Sequence, residues 1–327
     1  ASLVGEAVDD RAVTRMCQKA ELCELAEGDL LQLQGEPGDA LYVLVQGRVN
    51  LHQVDTPEQL AQLAREVRVL RQLGAAPTLE RLKPHLGRMF FQQGAGSTLG
   101  APALLLQAPH AMSAAAASTP VRLLRLDRHI FNVALRAHLD ARLQLRPKLA
   151  FLRRLKHLEH WPEFRLQRLA LALAEERFPA GTDLLTEGAA FDSVFLVAQG
   201  EVALRRRVKV GDRRRRVNPA LKRQPQLESA EVLVLRRGGA AGQLEVERHR
   251  DRAAFTARAM GPLVAYRLGA PQFQNFFYQA CDDTTKIVQA QTKKMETEIR
   301  ERVKAFQRGE TTKSRSLAAL AKAGVPL

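Results

Sequence analysis

Two stretches of the chain, 28–51 and 181–204, consist of short hydrophobic runs interrupted by glycine, aspartate and proline. Runs of this length, with turn-forming residues between them, predict β-strands joined by tight turns in which glycine supplies the positive φ. At 131–177, by contrast, leucines recur three or four positions apart with charged residues between them. That spacing predicts an amphipathic helical linker, broken near Pro147 and Pro162 because proline cannot continue the helical hydrogen bonds.

The two strand-rich stretches are copies of one block. Five positions of the first copy recur 153 positions later without insertions: Gly28 and Gly181, Gly35 and Gly188, Asp39 and Asp192, Tyr42 and Phe195, and Gly47 and Gly200. A second pair of blocks, 100–113 and 242–255, is related by an offset of 142. The first copy therefore carries additional residues between its blocks, in a segment with helical spacing at about 54–88.

This repeat predicts a protein that is mainly β with α, made of two tandem jelly-roll-like β-barrels joined and flanked by helices. At 327 residues the chain is long enough for two domains of ordinary size. We expect a first domain at 1–145, with the helical insertion at about 54–88. A second domain at 146–277 begins with the helical linker, and a C-terminal helix and polar tail follow at 278–327.

The net charge of +15 is concentrated in one run. Ten arginines and lysines and a single aspartate lie at 205–223, where the second copy is expected to have a basic loop in place of the insertion. Such a loop attracts any polyanion, and a solvated loop between two strands is the alternative interpretation. Because the run holds no aromatic residue to stack on bases, it favours an acidic protein surface over nucleic acid.

Several classes of function lack their sequence motifs. The longest apolar stretches fall far short of the roughly 18 residues that a membrane-spanning helix needs, and neither a phosphate-binding glycine-rich loop nor a nucleophile elbow is present. His157 and His160 lie three apart on one predicted helix face, but no third metal ligand is near them in the sequence. The sequence therefore predicts a non-enzymatic protein without a metal site or membrane span, located in the cytoplasm.

The repeated block, with its glycines, its aspartate and the 100–113 segment that follows, resembles a cyclic nucleotide-binding domain. The resemblance recurs in the second copy and covers roughly residues 10–290. Tandem copies joined by helices are similar to the regulatory subunits of cyclic-AMP-dependent protein kinase. The resemblance implies a phosphate-binding cassette in each copy, in which a helix N-terminus and an arginine hold the cyclic phosphate and a glutamate accepts from the ribose 2′-hydroxyl.

In the first copy the implied cassette begins at Gly100, and the glutamate and arginine positions hold Ala101 and His110. Pro102 follows Ala101, and proline has no amide proton to donate. Losing both ligand contacts weakens binding by roughly 3–6 kcal/mol, about a hundred- to ten-thousand-fold. We therefore expect no ligand in the first copy. Phe164 matches the position from which tandem members of the family cap the first site, although a role in the hydrophobic core is the favoured interpretation.

The implied second cassette consists of Gly242, Gln243, Leu244, Arg252 and Ala253. Arg252 keeps the phosphate contact, and the side-chain carbonyl of Gln243 can accept from a hydroxyl, more weakly than a carboxylate does. Against binding, Glu245 and Glu247 add negative charge, and the bulky Phe255 replaces a small residue. The second cassette is thus the candidate site for cAMP or cGMP, and no other cofactor is predicted.

Two hypotheses of function follow. In the first, the chain is a regulatory or scaffolding protein that acts through protein contacts, with the basic run facing an acidic partner. Tubulin, in a ciliary axoneme or another microtubule assembly of the cytoskeleton, is one such partner. In the second, the chain is a cAMP or cGMP sensor that binds through Arg252. A transcription regulator is disfavoured, because the residues after Phe277 read as one helix and a polar tail rather than a helix-turn-helix.

Overall fold

The structure, a computed structural model, describes residues 10–210, 226–278 and 282–308. The chain divides between Leu171 and Ala172 into two compact units, here unit 1 and unit 2. The helices of the predicted linker therefore belong to unit 1, although the sequence places them in the second domain after residue 145. The predicted domain boundaries themselves stay predictions, because a compact unit is not evidence of independent folding.

From residue 10 onward, where the structure describes it, unit 1 combines eight strands with eight α-helices. In chain order its elements are α1 (Asp10–Lys19), β1 (Glu21–Leu25), β2 (Leu30–Gln32), β3 (Ala40–Gln46), β4 (Arg48–Gln53), α2 (Pro57–Gln72), α3 (Leu79–Leu82), β5 (Arg88–Gly94), β6 (Thr98–Leu99), α4 (Ala101–Leu106), β7 (Ser113–Ala116), β8 (Val121–Asp127), α5 (Arg128–Ala134), α6 (Arg136–Leu143), α7 (Leu145–Leu152), a 3-10 turn (Lys156–Leu158) and α8 (Glu163–Ala172). The strands form two four-stranded sheets, in the orders β1-β8-β3-β6 and β2-β7-β4-β5.

In its described residues, unit 2 repeats the same strand arrangement. Its elements are β9 (Ala174–Phe178), β10 (Asp183–Leu185), β11 (Ser193–Gln199), β12 (Val202–Val210), β13 (Gln226–Leu235), β14 (Ala240–Ala241), α9 (Gln243–Glu247), β15 (Thr256–Ala259), β16 (Leu263–Gly269), α10 (Ala270–Phe277) and α11 (Asp282–Arg308). Its sheets have the orders β14-β11-β16-β9 and β10-β15-β12-β13, the same as in unit 1 once each strand is matched to its counterpart. The predicted fold class and the internal repeat are both confirmed.

The repeat extends to irregularities of the sheets. The β3–β8 pairing shifts register between Leu44 and Gln46, and the β11–β16 pairing shifts at the equivalent Val197 and Gln199. A glycine with positive φ precedes the short helix α4 in unit 1 and α9 in unit 2. A Cβ atom at the second of these glycines, Gly242, would lie only 2.7 Å from the ring of Phe191, so the close approach of the backbone requires glycine here.

The helical insertion predicted at about 54–88 contains α2 and α3. Helix α2 begins with a capping box, in which Thr56 accepts from the amide of Gln59 and the Gln59 side chain accepts from the amide of Thr56. Its buried face packs Leu63 and Val67 against Leu33, together with Leu82 and Leu86. This small cluster fixes α2 against the segment that follows β2.

The helices of the predicted linker are broken differently from the prediction. Pro147 lies inside the first turn of α7, and the break falls at Gln144, whose φ is +46°. Proline is tolerated there because the first-turn amides have no intrahelical partner. Pro162 directly precedes α8, as its predicted place at a helix start requires.

Two other predicted segments are described only in part. The predicted basic loop at 205–223 begins on a strand, because residues 205–210 belong to β12; the rest of the run lies outside the described residues. The predicted C-terminal helix contains α11, whereas 279–281 and 309–327 lie outside the described residues.

Candidate functional site

The first cassette consists of Gly100, the short helix α4 and the turn that leads into β7. The turn is tied to the segment after β2 by two backbone bonds: the Gly35 amide donates to the His110 carbonyl at 2.9 Å, and the His110 amide donates to Glu36 at 2.8 Å. Ala101, at the glutamate position, is 4% exposed and offers no side-chain acceptor. Gly100 and Ala101 thus lie at the start of α4 and His110 in the turn after it, and Ala101 offers no acceptor for a ribose.

His110, at the arginine position, is buried at 6% exposure. Its ring lies against Gly38, where a Cβ atom would be 3.2 Å from Cε1 of His110 and 2.6 Å from the Cβ of Ala103. Burial lowers the pKa of His110 below its usual 6.5, and the nearby charges of Asp39 and Glu36 offset this only in part. The imidazole is therefore neutral near pH 7 and supplies no cation for a phosphate.

Phe164 lies at the start of α8, half-buried, and its carbonyl accepts from Nε2 of Gln53 at 3.5 Å. Its side chain lines a groove formed with α2 and the segment after β2. Neither Ala101 nor His110 lines that groove. Phe164 therefore stands beside a different cavity from the cassette turn.

The second cassette places Gln243 at the first position of α9. The Nε2 atom of Gln243 donates to Oγ1 of Thr292 at 2.7 Å and to the carbonyl of Val288 at 3.4 Å, both on α11. Leu244 is 6% exposed and belongs to the hydrophobic core of unit 2. The residue at the glutamate position is thus engaged with another helix of its own unit.

Arg252 is exposed, and its Nη1 atom donates to the carbonyl of Gly188 at 2.7 Å. The neighbouring Ala253 is 4% exposed, and its amide donates to Ala189 at 3.0 Å. An arginine thus stands at the predicted phosphate position, with one of its guanidinium nitrogens bonded to a backbone carbonyl.

The two glutamates of α9 have separate partners. Glu245 is 2% exposed and accepts from the amide of Ala254 at 2.9 Å. Burial raises the pKa of Glu245, although that hydrogen bond lowers it in part. Glu247 accepts from the hydroxyl of Tyr278 at 3.2 Å, and burial is the main reason why the pKa of Tyr278 is raised. Both carboxyl groups thus accept hydrogen bonds from other residues of unit 2.

Helix α11 binds the C-terminal end of α9. Arg248, which caps α9, binds Glu296 of α11 through two hydrogen bonds of 2.6 and 2.9 Å. The hydrogen bonds from Arg248, and to a smaller extent its charge, lower the pKa of Glu296. Together with the Gln243–Thr292 bond, this pair holds both ends of the five-residue cassette helix to α11.

The apolar face of α11 completes the core of unit 2. Ile299 is 5% exposed and belongs to the same hydrophobic cluster as Phe255, and Met295, Val303 and Phe306 pack against that cluster. Phe255 stands where the cyclic nucleotide-binding family has a small residue near the phosphate. Phe255, one residue before β15, thus packs in the core of unit 2 together with the apolar face of α11.

The residues of α11 are the part of the site that the sequence interpretation missed. The signal was present: Val288, Thr292, Met295, Ile299, Val303 and Phe306 recur every three or four positions, which marks one buried face of a helix. That spacing shows only that the face is buried. It does not show that the face packs on α9.

The basic run is partly neutralised where it is described. Nη2 of Arg205 lies 3.9 Å from Glu231 on the neighbouring strand β13, and the backbone amide of Arg207 donates to the carboxylate of Glu187 at 2.8 Å. The guanidinium of Arg206 stands 5.7 Å from the ring centroid of Phe255. These arginines therefore belong to the strand framework as much as to a solvated surface.

No family model matches the chain. Its sequence is 24% identical, over 195 residues, to a cAMP-dependent protein kinase regulatory subunit of Neurospora crassa. The chain is similar to the regulatory subunits of that kinase. The aligned region covers 60% of this chain and 45% of the relative, so the chain spans less than half of the relative's length. The similarity that the repeated blocks predict is confirmed.

Solved structures with a similar arrangement include three regulatory subunits or domains. The cAMP-bound PfPKA-R (141–441) is 15% identical, with a TM-score of 0.48 and coverage of 91% of this chain and 87% of that one. The regulatory domain of Toxoplasma gondii PKA with cAMP is 18% identical, with a TM-score of 0.47 and coverage of 87% and 91%. The regulatory subunit of a cAMP-independent protein kinase A from Trypanosoma brucei is 14% identical, with a TM-score of 0.42 and coverage of 88% and 86%.

Two further kinds of site are absent from the described residues. No helix there combines the length and the hydropathy needed to cross a membrane. Within 10–210, 226–278 and 282–308, histidine, cysteine and acidic side chains form no group of three that could hold a metal ion.

Proposed function

We propose that the chain is a non-catalytic regulatory protein with two cyclic-nucleotide-binding-type units, and that it acts through protein contacts without cyclic-nucleotide control. The observation that carries this proposal is the bond between Gln243 and Thr292, which ties the ribose-contact position of the second cassette to α11. In the first cassette a neutral, buried histidine stands where a cation is needed. Each cassette thus lacks a free ligand-binding group at a position that the family uses.

The experiment is calorimetry of the full chain with cAMP and with cGMP at millimolar concentration. We expect no binding heat from either nucleotide. An Arg252→Ala variant is the matched control, because any heat from the second cassette depends on the phosphate contact. Binding to the wild type that this variant abolishes would contradict the proposal.

A cAMP or cGMP sensor is the second candidate, and one observation favours it. Arg252 is exposed, and its bond to the Gly188 carbonyl can be exchanged for a stronger, charge-assisted bond to a phosphate. A nucleotide would still have to displace the Gln243–Thr292 bond. The sensor therefore predicts that cyclic nucleotide raises the hydrogen-exchange rate of α11, whereas the first proposal predicts no change.

The partner class follows from two features. The Neurospora relative is a kinase regulatory subunit by name, which supports a kinase catalytic subunit as partner. The run at 205–223 supports an acidic protein surface, such as the tails of tubulin in a ciliary or cytoskeletal assembly. Cosedimentation with microtubules tests the second idea, with glutamine replacing the four arginines at 213–216, which spares strand β12. Binding that this variant leaves unchanged would remove tubulin from the proposal.

A further inference from the structure

We propose that a groove on unit 1, bounded by α2, is a binding site for a small amphiphilic acid, a molecule with an apolar body and one carboxylate. Its other wall comes from the segment after β2 and from Pro162 and Phe164. The cavity has a volume of about 770 Å³. Small-molecule sites commonly enclose about 300–1,000 Å³, so the groove has the size of a ligand site.

The lining of the groove is mainly apolar. Leu60, Ala61 and Ala64 contribute from α2, and Phe164 faces them from the start of α8. The alanines are exposed and leave a trough along the helix. These side chains fit a hydrocarbon body, which is stabilised by leaving water.

Of the polar residues in this lining, Gln34 lies in its middle, whereas Glu36, Arg68, Arg71 and Gln72 lie toward the end of α2. Gln34 is 3% exposed, its Oε1 atom accepts from the Val54 amide at 2.9 Å, and its Nε2 atom donates to the Val54 carbonyl at 3.2 Å. Both polar atoms of the Gln34 side chain thus already bond within the protein. The middle of the groove therefore favours an apolar ligand body over a sugar or a nucleoside.

One end of the groove is cationic. Arg68 and Arg71 line it from the last turns of α2. Arg71 binds Glu36 at 2.7 Å, whereas Arg68 is exposed and forms no ion pair within the described residues. A guanidinium at the end of an apolar trough fits a carboxylate head group, with which it forms charge-assisted hydrogen bonds. Charge complementarity thus sets both the class of ligand and its orientation.

This groove is distinct from the cassettes, although Gly35 and Glu36 of its lining bond to the backbone of His110. Gly100, Ala101 and His110 do not line the groove, and the helix that forms its wall belongs to the insertion that the second copy lacks. The inference therefore does not rest on the absence of cyclic-nucleotide binding. It would stand even if Arg252 proved to bind cAMP.

The test uses the full chain and dodecanoate as the probe, measured by calorimetry well below the micelle concentration. Dodecylamine, with the same chain and the opposite head-group charge, is the ligand control. We expect dodecanoate to bind in preference to dodecylamine. Ala64→Trp fills the trough and should weaken dodecanoate binding at least tenfold, whereas Gln62→Trp, exposed on the same helix outside the lining, should leave it unchanged.

A charge reversal tests the head-group contact separately. Arg68→Glu should weaken dodecanoate binding at least tenfold and strengthen that of dodecylamine, with Arg65→Glu, exposed and outside the lining, as the matched control. Both substituted arginines are exposed, so these variants test the site even if Ala64→Trp fails to fold. The proposal is overturned if the wild type does not bind dodecanoate, if dodecylamine binds equally well, or if Arg68→Glu has no more effect than Arg65→Glu.

Discussion

The bond between Gln243 and Thr292 can be broken with a nearly isosteric change, Thr292→Val. Thr292 is 1% exposed and also donates to the Val288 carbonyl one turn earlier on α11. Removing its hydroxyl leaves the half-buried side-chain amide of Gln243 with the longer bond to Val288. Leaving a buried donor under-satisfied costs about 1–3 kcal/mol, and the remaining bond keeps the loss near the lower end, at about 1–2 kcal/mol.

The assay is hydrogen exchange of the α11 amides followed by mass spectrometry, because it measures local opening without requiring a two-state unfolding of the whole chain. A loss of about 1–2 kcal/mol raises the exchange rate roughly five- to thirty-fold. The matched control is Thr297→Val on the same helix, where the hydroxyl is exposed and donates only to Lys293 within the helix. We expect that control to change exchange by less than about threefold.

A double-mutant cycle decides whether the effect comes from this contact. If the bond locks the cassette, Gln243→Met and Thr292→Val together should open α11 less than the sum of the two single changes, with a coupling energy of about 0.5–1.5 kcal/mol. Additive effects, or equal effects of Thr292→Val and Thr297→Val, would refute the claim that α11 closes the second cassette through Gln243.

Three further predictions test the same structural reasoning. Ile299→Ala should lower the stability of unit 2 by about 2–5 kcal/mol in denaturant unfolding followed by exchange, because it leaves a cavity in the core, whereas Ile287→Ala, at an exposed position of α11, should cost far less. Glu296→Gln should open α11 less than Thr292→Val does, and added salt should reduce its effect, since both side chains of its pair with Arg248 reach water. Burial lowers the pKa of His110 in the folded state, so the unfolded chain takes up a proton first as the pH falls. The contribution of the neutral His110 side chain to the free energy of unfolding is therefore present above pH 6.5 and is lost below it. The thermal midpoint should therefore fall more between pH 7.5 and 5.5 in the wild type than in His110→Gln, and equal falls would show that His110 is not buried in its neutral form.

The strand framework was predictable from sequence because its determinants are local. Glycines at 28, 35 and 47 recur with one spacing in the second copy, and each adopts a positive φ in both copies. Turns of this kind need one residue that readily adopts a positive φ, and a glycine in the sequence identifies that residue directly. The matching sheet orders then follow, since the same turns in the same order leave the same strands to pair.

The closure of the second cassette was not predictable from the same pattern. Thr292 and Ile299 mark a buried helix face, but the surface that covers this face depends on contacts across about 45 residues of chain between Gln243 and Val288. The predicted helix break at Pro147 was wrong for a different reason. Proline disrupts the interior of a helix, but in the first turn it breaks no intrahelical hydrogen bond, and Pro147 lies in the first turn of α7.

Under the proposed function, the two cassettes lack free ligand contacts for different physical reasons, and this difference decides which of them a conformational change could open. In the first cassette the groups are absent: Ala101 has no acceptor, and a conformational change cannot give a buried imidazole the permanent charge of an arginine. In the second, the arginine is present, and the competing contacts are individual hydrogen bonds and one partly exposed ion pair with α11, each worth no more than a few kcal/mol. A partner that binds α11 more tightly when it is released could therefore expose the second cassette, since a ligand shifts such an equilibrium by its differential affinity for the two states. We therefore expect regulation by a nucleotide to act through α11 and the second cassette rather than through the first unit.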